Sequence, residues 1–221
     1  MDINSYGRQL TNAEIDAKEH RDFVGGLWDE LGLLQLRFLR ERGLQPGHRL
    51  LDLGCGALRG GIHFIRYLEP GNYYGADINA SLLEAGRREL AEANLADRKI
   101  HLLVTDRFEV GRFETTFDFG IAVSVFTHLT MNHIVQCLVE VRQVLRPDAR
   151  FYASWFEAPA KARMAPLTHD PAGIVTSYHC DPYHYAFDEI RWMADLAELD
   201  VENIGDWGHP RGQRMLAFAR G

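Results

Sequence analysis

The residues best suited to chemistry lie in Leu50-Leu51-Asp52-Leu53-Gly54-Cys55-Gly56-Ala57-Leu58-Arg59-Gly60-Gly61, an apolar run that breaks into glycines and then enters a helix. Glycine lets backbone approach a ligand closely because it lacks a Cβ and tolerates unusual φ/ψ. Asp52 stands two residues before the first glycine, where a carboxylate suits a cation; a pyrophosphate would prefer bare N–H groups at a helix N-terminus. The loop therefore points to a positively charged nucleoside ligand. Downstream polar residues fall at strand ends: Asp77 and Asp106 after the second and third apolar runs, Ser124 and His128 after the fourth. A carboxylate at Asp77 suits a ribose diol, and Asp106 an adenine edge. His128 is the leading general base, with His179, His184 and His209 as alternatives. The cluster Tyr178-His179-Cys180-Asp181-Pro182-Tyr183-His184-Tyr185 holds metal-ligand types without the paired spacing of a zinc site, so no metal is expected. Arg211 is a further candidate, for an anionic group.

These residues need a scaffold that gathers strand ends. Apolar runs over 49–53, 73–77, 100–105, 117–124 and 150–155 read as strands. Helical patterns over 61–68, 81–94 and 132–145 alternate with them; Asn79 is a plausible N-cap and Pro147 a stop. A helix over 188–199 and strands over 201–204 and 215–219 follow. This order predicts an α/β fold: a Rossmann-like doubly wound, mostly parallel seven-stranded sheet with an antiparallel last strand, in three α/β/α layers. Ligands then sit at the carboxyl ends of the strands. Residues 1–48 read as an N-terminal helical arm or lid, 49–221 as the ligand-binding domain, and the proline-rich stretch 156–186 as an insertion on the acceptor side.

The order Leu-Asp-Leu-Gly-Cys-Gly at 51–56, Tyr-Gly-Ala-Asp-Ile-Asn at 74–79 and Ser-Val-Phe-Thr-His-Leu at 124–129 resembles the class I S-adenosylmethionine-dependent methyltransferases, in their bacterial small-molecule type. The similarity covers roughly residues 48–155 by motif. It implies S-adenosyl-L-methionine as cofactor. Asp52, Gly54, Cys55 and Gly56 would line its methionine part, and Asp77 with Ile78 would hold the ribose. Asp106 with Arg107 would hold the adenine, and Ser124 with Val125 would lie near the methionine end. His128, His179 and His184 would serve the acceptor. Many members carry a third glycine where this chain has Leu58, and Gly60 and Gly61 are expected to take over the close approach to the helix.

The implied activity is methyl transfer to a small molecule, foremost to a hydroxyl. Two other readings stay open. The stretch 54–60 is also a variant of the dinucleotide fingerprint, although the charge of Asp52, the position of the loop behind an arm and the chain length weigh against a nicotinamide oxidoreductase. A non-catalytic S-adenosylmethionine-binding protein is the other.

Bulk properties narrow the partners. A net charge of −7 disfavours nucleic acid, and Ser124-Val125-Phe126-Thr127 stands where many DNA amino-methylating enzymes carry an Asn-Pro-Pro-Tyr type of motif. No apolar run approaches a membrane span, and Met1-Asp2-Ile3-Asn4-Ser5 has no basic or apolar leader character. Three widely spaced cysteines, Cys55, Cys137 and Cys180, suit a reducing compartment, so a cytoplasmic location is expected. The arm could also serve a homodimer.

Overall fold

The computed structural model describes residues 5–221; Met1–Asn4, most of the segment read above for leader character, lie outside the described residues. The chain forms two compact units that divide at Asp106/Arg107. The first holds α1 (Asn12–Asp16), α2 (Glu19–Phe23), α3 (Trp28–Glu41), β1 (Leu50–Leu53), α4 (Gly61–Tyr67), β2 (Tyr73–Asp77), α5 (Ala80–Glu92) and β3 (His101–Val104). The second holds β4 (Phe117–Ala122), α6 (Met131–Val144), β5 (Leu145–Trp155), β6 (Leu167–His169), β7 (Ile174–Thr176), α7 (Phe187–Leu196), β8 (Leu199–Asp206) and β9 (Arg214–Arg220). The main sheet has seven strands in the order β3-β2-β1-β4-β5-β9-β8. Strands β1, β2 and β3 pair in parallel, as do β4 and β5, while β9 runs antiparallel to both β5 and β8. The expected sheet, with its antiparallel last strand, is therefore present. Among the described residues no helix is long and apolar enough to cross a membrane.

In the first unit every residue of β1 is buried, as expected of a parallel strand covered on both faces. Asn79 is the N-cap of α5: its Oδ1 accepts from the N–H groups of Ser81 (2.9 Å) and Leu82 (3.2 Å). Its Nδ2 donates to the carbonyls of Tyr6 and Arg8, so one side chain starts the helix and also ties down the incoming arm. Leu10 and Ile15 of the arm form a buried cluster with Ala57, Leu82 and Ala85, against which Phe23, Val24 and Trp28 pack. Glu89 of α5 is buried at 4 % exposure. It accepts from Arg21 through both carboxylate oxygens (2.7 and 2.6 Å) and meets Nε2 of the buried His20 at 2.8 Å.

In the second unit the apolar face of α6 (Ile134, Cys137, Leu138, Val141, Val144) is buried. The helix ends at Val144 and the chain passes directly into β5, which starts five residues before the expected strand. The reason lies in the β4–β5 ladder: Phe117 pairs with Leu145, Phe119 with Arg150, and the register shifts between them. Pro147 sits in that irregularity, where a missing N–H costs no ladder bond. The insertion is partly ordered as its own antiparallel pair, with Leu167, Thr168 and His169 of β6 opposite Thr176, Val175 and Ile174 of β7.

The Glu89 centre is the main polar tie between the arm and α5. Replacing Glu89 by Ala leaves His20 buried without its carboxylate, and is expected to cost roughly 3 kcal/mol. A urea melt of wild type and Glu89→Ala measures it, and an unchanged midpoint would show that the Glu89 centre adds nothing to stability.

Candidate functional site

The expected cofactor residues from Asp52 to Asp106 lie in the first unit, and Arg107, Ser124 and Val125 in the second. After β1 the chain reverses through Gly54 (φ +71) and Gly56 (φ +53), conformations that glycine adopts without penalty. Leu58, at the place of the missing third glycine, is itself left-handed (φ +65) and fully buried. A Cβ on Gly60 would lie 2.3 Å from Gln35 Oε1, and one on Gly61 would lie 2.6 Å from the Tyr73 hydroxyl. The close approach has thus moved to these two glycines, as expected. The loop hangs on the end of β2: the N–H groups of Gly54 (2.7 Å) and Cys55 (3.2 Å) donate to the Ala76 carbonyl, and that of Gly56 donates to Asp77 Oδ2 (2.8 Å). Asp77 Oδ1 accepts from the N–H of Asn79 (2.8 Å). Arg59 anchors the loop to the arm by donating to the carbonyls of Val24 (3.0 Å) and Gly26 (2.9 Å).

Two carboxyl groups therefore lie beneath a loop of N–H donors. Asp52 is 4 % exposed and accepts from the Tyr73 hydroxyl at 2.7 Å. Burial pushes its pKa up to about 7; the Tyr73 bond opposes this, the charge of Asp77 adds to it and that of Arg59 opposes it. Asp77 is also raised, by burial, against the lowering effect of the N–H groups of Asn79, Gly56 and Ile78. Burial raises the Cys55 thiol well above its usual value, so this cysteine is an inert wall. Ile78 is partly buried, and Asp106 and Arg107, which follow β3, are exposed. Such a site is short of positive charge, and a bound cation would hold Asp52 ionised.

The residues expected at the methionine end, Ser124 and Val125, and the expected bases lie in the second unit. Ser124, two residues past β4, is left-handed (φ +59). Its N–H donates to Ser154 Oγ (2.7 Å) and its Oγ accepts from Gln213 Nε2 (3.0 Å), while Ser154 Oγ donates to Gln213 Oε1 (2.6 Å). Val125 is partly buried beside it. His128 closes the 3-10 turn Phe126–His128, and its Nδ1 is bonded to Asp181 Oδ1. A carboxylate only accepts, so Nδ1 carries the hydrogen and the neutral ring has its lone pair on Nε2. The insertion is fixed to this turn through the Tyr183 N–H to the Thr127 carbonyl (2.7 Å) and the Tyr185 hydroxyl to the Leu129 carbonyl (2.5 Å).

The other two expected histidines lie elsewhere. His184 is fully buried, with Nδ1 on Thr176 Oγ1 (2.6 Å) and Nε2 on the Arg163 carbonyl (2.7 Å). With both nitrogens engaged it has none for an acceptor, which corrects its reading as a base. His179 is exposed, its ring edge-on to Tyr178 at 5.4 Å. His209 is buried and its Nδ1 accepts from the Arg211 N–H (3.1 Å), a turn-forming contact. Among the described residues no group of three or more His, Cys, Asp or Glu side chains gathers as a metal site.

Sequence reasoning gave no role to Tyr73, Ser154, Gln213 or Asp181. Tyr73 had a signal: it precedes Gly75, the partner of Asp52, by two residues, and so shares a sheet face with that carboxylate. Gln213 follows a glycine turn without periodicity and had none.

Residues 51–151 match a protein-family model described as a methyltransferase domain. Over 166 residues the chain is 26 % identical to the ubiquinone/menaquinone biosynthesis C-methyltransferase UbiE of Ectopseudomonas mendocina (strain ymp), covering 71 % of this chain and 63 % of that protein. The same enzyme of Vibrio campbellii is 28 % identical, with 72 % and 63 % covered. The chain thus spans under two thirds of the length of these curated relatives. Among solved structures, the CcbJ methyltransferase of Streptomyces caelestis superposes with a TM-score of 0.70 at 18 % identity, over 100 % of both chains. Magnesium protoporphyrin IX methyltransferase of Synechocystis PCC 6803, with bound S-adenosylmethionine, gives 0.63 at 16 % identity over 97 % of this chain and 86 % of that one. Residues 51–151 therefore match the methyltransferase-domain model, within a fold that solved methyltransferases share, one of them with S-adenosylmethionine bound.

Asp52 generates a prediction with a definite sign. Its folded pKa of about 7 lies above the ordinary 3.8, so the folded protein holds the proton more tightly than the unfolded chain. Stability of the ligand-free protein therefore falls as pH rises through that window. Asp52→Asn is expected to raise Tm at pH 8, to change it little at pH 4, and to weaken S-adenosylmethionine. A Tm at pH 8 no higher than wild type, by differential scanning fluorimetry, would contradict the buried-charge account.

Proposed function

We propose that this chain transfers the methyl group of S-adenosylmethionine to an oxygen of a small-molecule acceptor. The observation that carries the choice of oxygen is the His128–Asp181 pair. A hydroxyl must lose a proton as it is methylated, and a positioned base is worth about 10²–10⁴-fold; an amine or a stabilised carbanion needs less help. When bound, the cofactor supplies an activated methyl on a sulfonium. The chain's residues must align the acceptor, exclude water and take its proton.

The roles follow the geometry of each unit. Asp52 beneath the loop gives the field for a cationic methionine portion, with Gly54, Cys55 and Gly56 as its floor. Asp77 accepts from backbone N–H groups, including those of Gly56 and Asn79, and its carboxylate has lone pairs left for a ribose hydroxyl; Ile78 would flank the ring. Asp106 and Arg107 would meet the adenine. Ser124 and Val125 would border the methionine end, with Ser124 held by Ser154 and Gln213. His128 Nε2 would take the acceptor proton as the new O–CH₃ bond forms, while Asp181 keeps Nδ1 protonated and stabilises the imidazolium. The exposed His179 would at most touch the acceptor's outer end. The net charge of −7 supports a small molecule over nucleic acid. We read residues 1–48 as an integral cover of the cofactor half, since Arg59, Asn79 and Glu89 all bind it.

A carbon acceptor is the second reading, favoured by the names of the curated relatives, which are C-methyltransferases. Product analysis separates the two, because an O-methyl and a C-methyl group differ in carbon chemical shift.

Two substitutions test the roles. Asp77→Ala is expected to weaken S-adenosylmethionine by roughly 2–4 kcal/mol, as for loss of a charged hydrogen-bond acceptor, read by isothermal titration; unchanged affinity would remove the ribose role. His128→Ala is expected to lower turnover about 10²-fold or more with cofactor affinity intact, and Asp181→Asn to lower it less and to shift the pH–rate profile. Full turnover in His128→Ala would take the base away from this residue.

A further inference from the structure

A pocket of about 410 Å³ opens in the second unit, lined by Glu157, Ala158, Pro159, His169, Gly212 and Arg214. Glu157 lies two residues past the end of β5, and Arg214 begins β9, paired with Trp155. The pocket is therefore at the carboxyl end of β5, the edge of the sheet where open α/β folds bind ligands, and its Arg214 adjoins the Gln213 that holds Ser124. Its size falls within the usual range for small-molecule sites, roughly 300–1,000 Å³.

The walls are fixed by a chain of hydrogen bonds whose direction can be worked out. The Arg163 carbonyl only accepts, so His184 Nε2 donates to it (2.7 Å). In the neutral ring His184 Nδ1 is then an acceptor, and Thr176 Oγ1 donates its one hydrogen to it (2.6 Å). With that hydrogen committed, Thr176 Oγ1 accepts from His169 Nε2 (2.8 Å). His169 is thereby held as the Nε2–H tautomer, with its lone pair on Nδ1. The ring lies against Phe156, centroids 4.4 Å apart. Burial is the leading cause that lowers the pKa of His169, which favours the neutral ring.

The opposite groups are equally constrained. Glu157 Oε2 pairs with Arg214 Nε (2.6 Å), and Glu157 Oε1 accepts from Asn203 Nδ2 (2.9 Å). A Cβ on Gly205 would lie 2.9 Å from Arg214 Nη2, so glycine there lets the guanidinium lie on the β8 backbone. A Cβ on Gly212 would lie 2.1 Å from the Asp170 carbonyl oxygen, so the turn before β9 presses on the insertion only because that residue is glycine.

We propose that this pocket is the acceptor subsite and takes a neutral, hydroxyl-rich small molecule of the sugar or cyclitol class, with His169 Nδ1 accepting from one of its hydroxyls. The pocket combines a carboxylate, a guanidinium and a fixed neutral acceptor. A hydroxyl both donates and accepts, so adjacent hydroxyls answer all three. An apolar ring would leave the His169 acceptor and the remaining capacity of the Glu157–Arg214 pair unanswered, and a carboxylate ligand would face both Glu157 and the His169 lone pair. The proposal rests on the methyltransferase reading for the word acceptor, but its binding chemistry is tested without the cofactor.

The probe is methyl α-D-glucopyranoside, followed by saturation-transfer NMR on the full chain, with benzoate as the anionic control and S-adenosylmethionine titrated separately by calorimetry. The expected result is saturation of the glucoside, little for benzoate, and at least about five-fold weaker glucoside binding in Glu157→Gln and His169→Phe, both with unchanged S-adenosylmethionine heat. Absent glucoside binding, a preference for benzoate, or equal binding in both variants overturns the subsite while the cofactor reading stands. Absent S-adenosylmethionine heat in the wild type overturns the cofactor reading instead. Nitrogen-15 NMR of the wild-type imidazoles supplies a check free of any variant: His169 is expected as the Nε2–H tautomer at neutral pH, and the Nδ1–H tautomer would refute the relay.

Discussion

The fold of the first unit depends on how a loop of backbone N–H groups is satisfied as β1 ends. A parallel strand that turns sharply into a helix exposes donors that must be paired. Here the end of β2 pairs them: the Ala76 carbonyl takes two and the Asp77 carboxylate takes a third. That solution places a carboxylate beside the loop, and Asp52 lies on the strand just before it. Burial raises the pKa of both acids, and for Asp52 the charge of Asp77 adds to the rise while that of Arg59 opposes it. The ligand-free loop is therefore electrostatically strained toward a cation, and strain of this kind marks binding sites more often than structural ones. A pyrophosphate would aggravate it, which is the physical reason to set the nicotinamide reading aside.

The second unit solves a different problem, the ordering of an insertion rich in proline and polar aromatics. Its solution is hydrogen bonding by side chains of fixed polarity. Carbonyls at Thr127, Leu129 and Arg163 serve as one-way acceptors, and each dictates the state of the group that binds it. At His184 this propagates through Thr176 to His169, so a buried ring sets the chemistry of a partly exposed one. At His128 the dictating group is a carboxylate, which leaves Nε2 as the basic atom. At both histidines the hydrogen-bonded partner decides which ring nitrogen carries the hydrogen.

Much of the frame was legible in the sequence because it depends on local rules. Glycines after an apolar run, Asn79 before α5, and the spacing of Ile134, Leu138 and Val141 each act within a few residues. The start of β5 was misjudged because Pro147 reads as a strand breaker until the register shift opposite it is known. The site was legible where residues lie at strand ends, as with Asp52, Asp77 and Ser124, since topology alone brings those together. It was not legible where function depends on which nitrogen has a partner. Nothing in Tyr183-His184-Tyr185 distinguishes a base from a tie; only burial and the Thr176 and Arg163 contacts do. For the same reason His169, alone between Thr168 and Asp170, carried no signal at all.

The glycines outside the cofactor loop bear on specificity. Gly205 and Gly212 each stand where a Cβ would strike a neighbour, the Arg214 guanidinium in one case and the Asp170 carbonyl in the other. Both conformations are left-handed (φ +84 and +72), so two constraints coincide at each position. Gly205 lies within β8, where the β8–β9 register shifts between Asn203 and Gly205, and Gly212 lies in the turn before β9. Gly205 leaves room for the Arg214 guanidinium, which pairs with Glu157, and Gly212 brings the turn onto the insertion beside the pocket that both Gly212 and Arg214 line. Rigid backbone placed to orient a charged pair is characteristic of recognition, and it locates the choice of acceptor at the β8–β9 end of the sheet, apart from the residues that define the class.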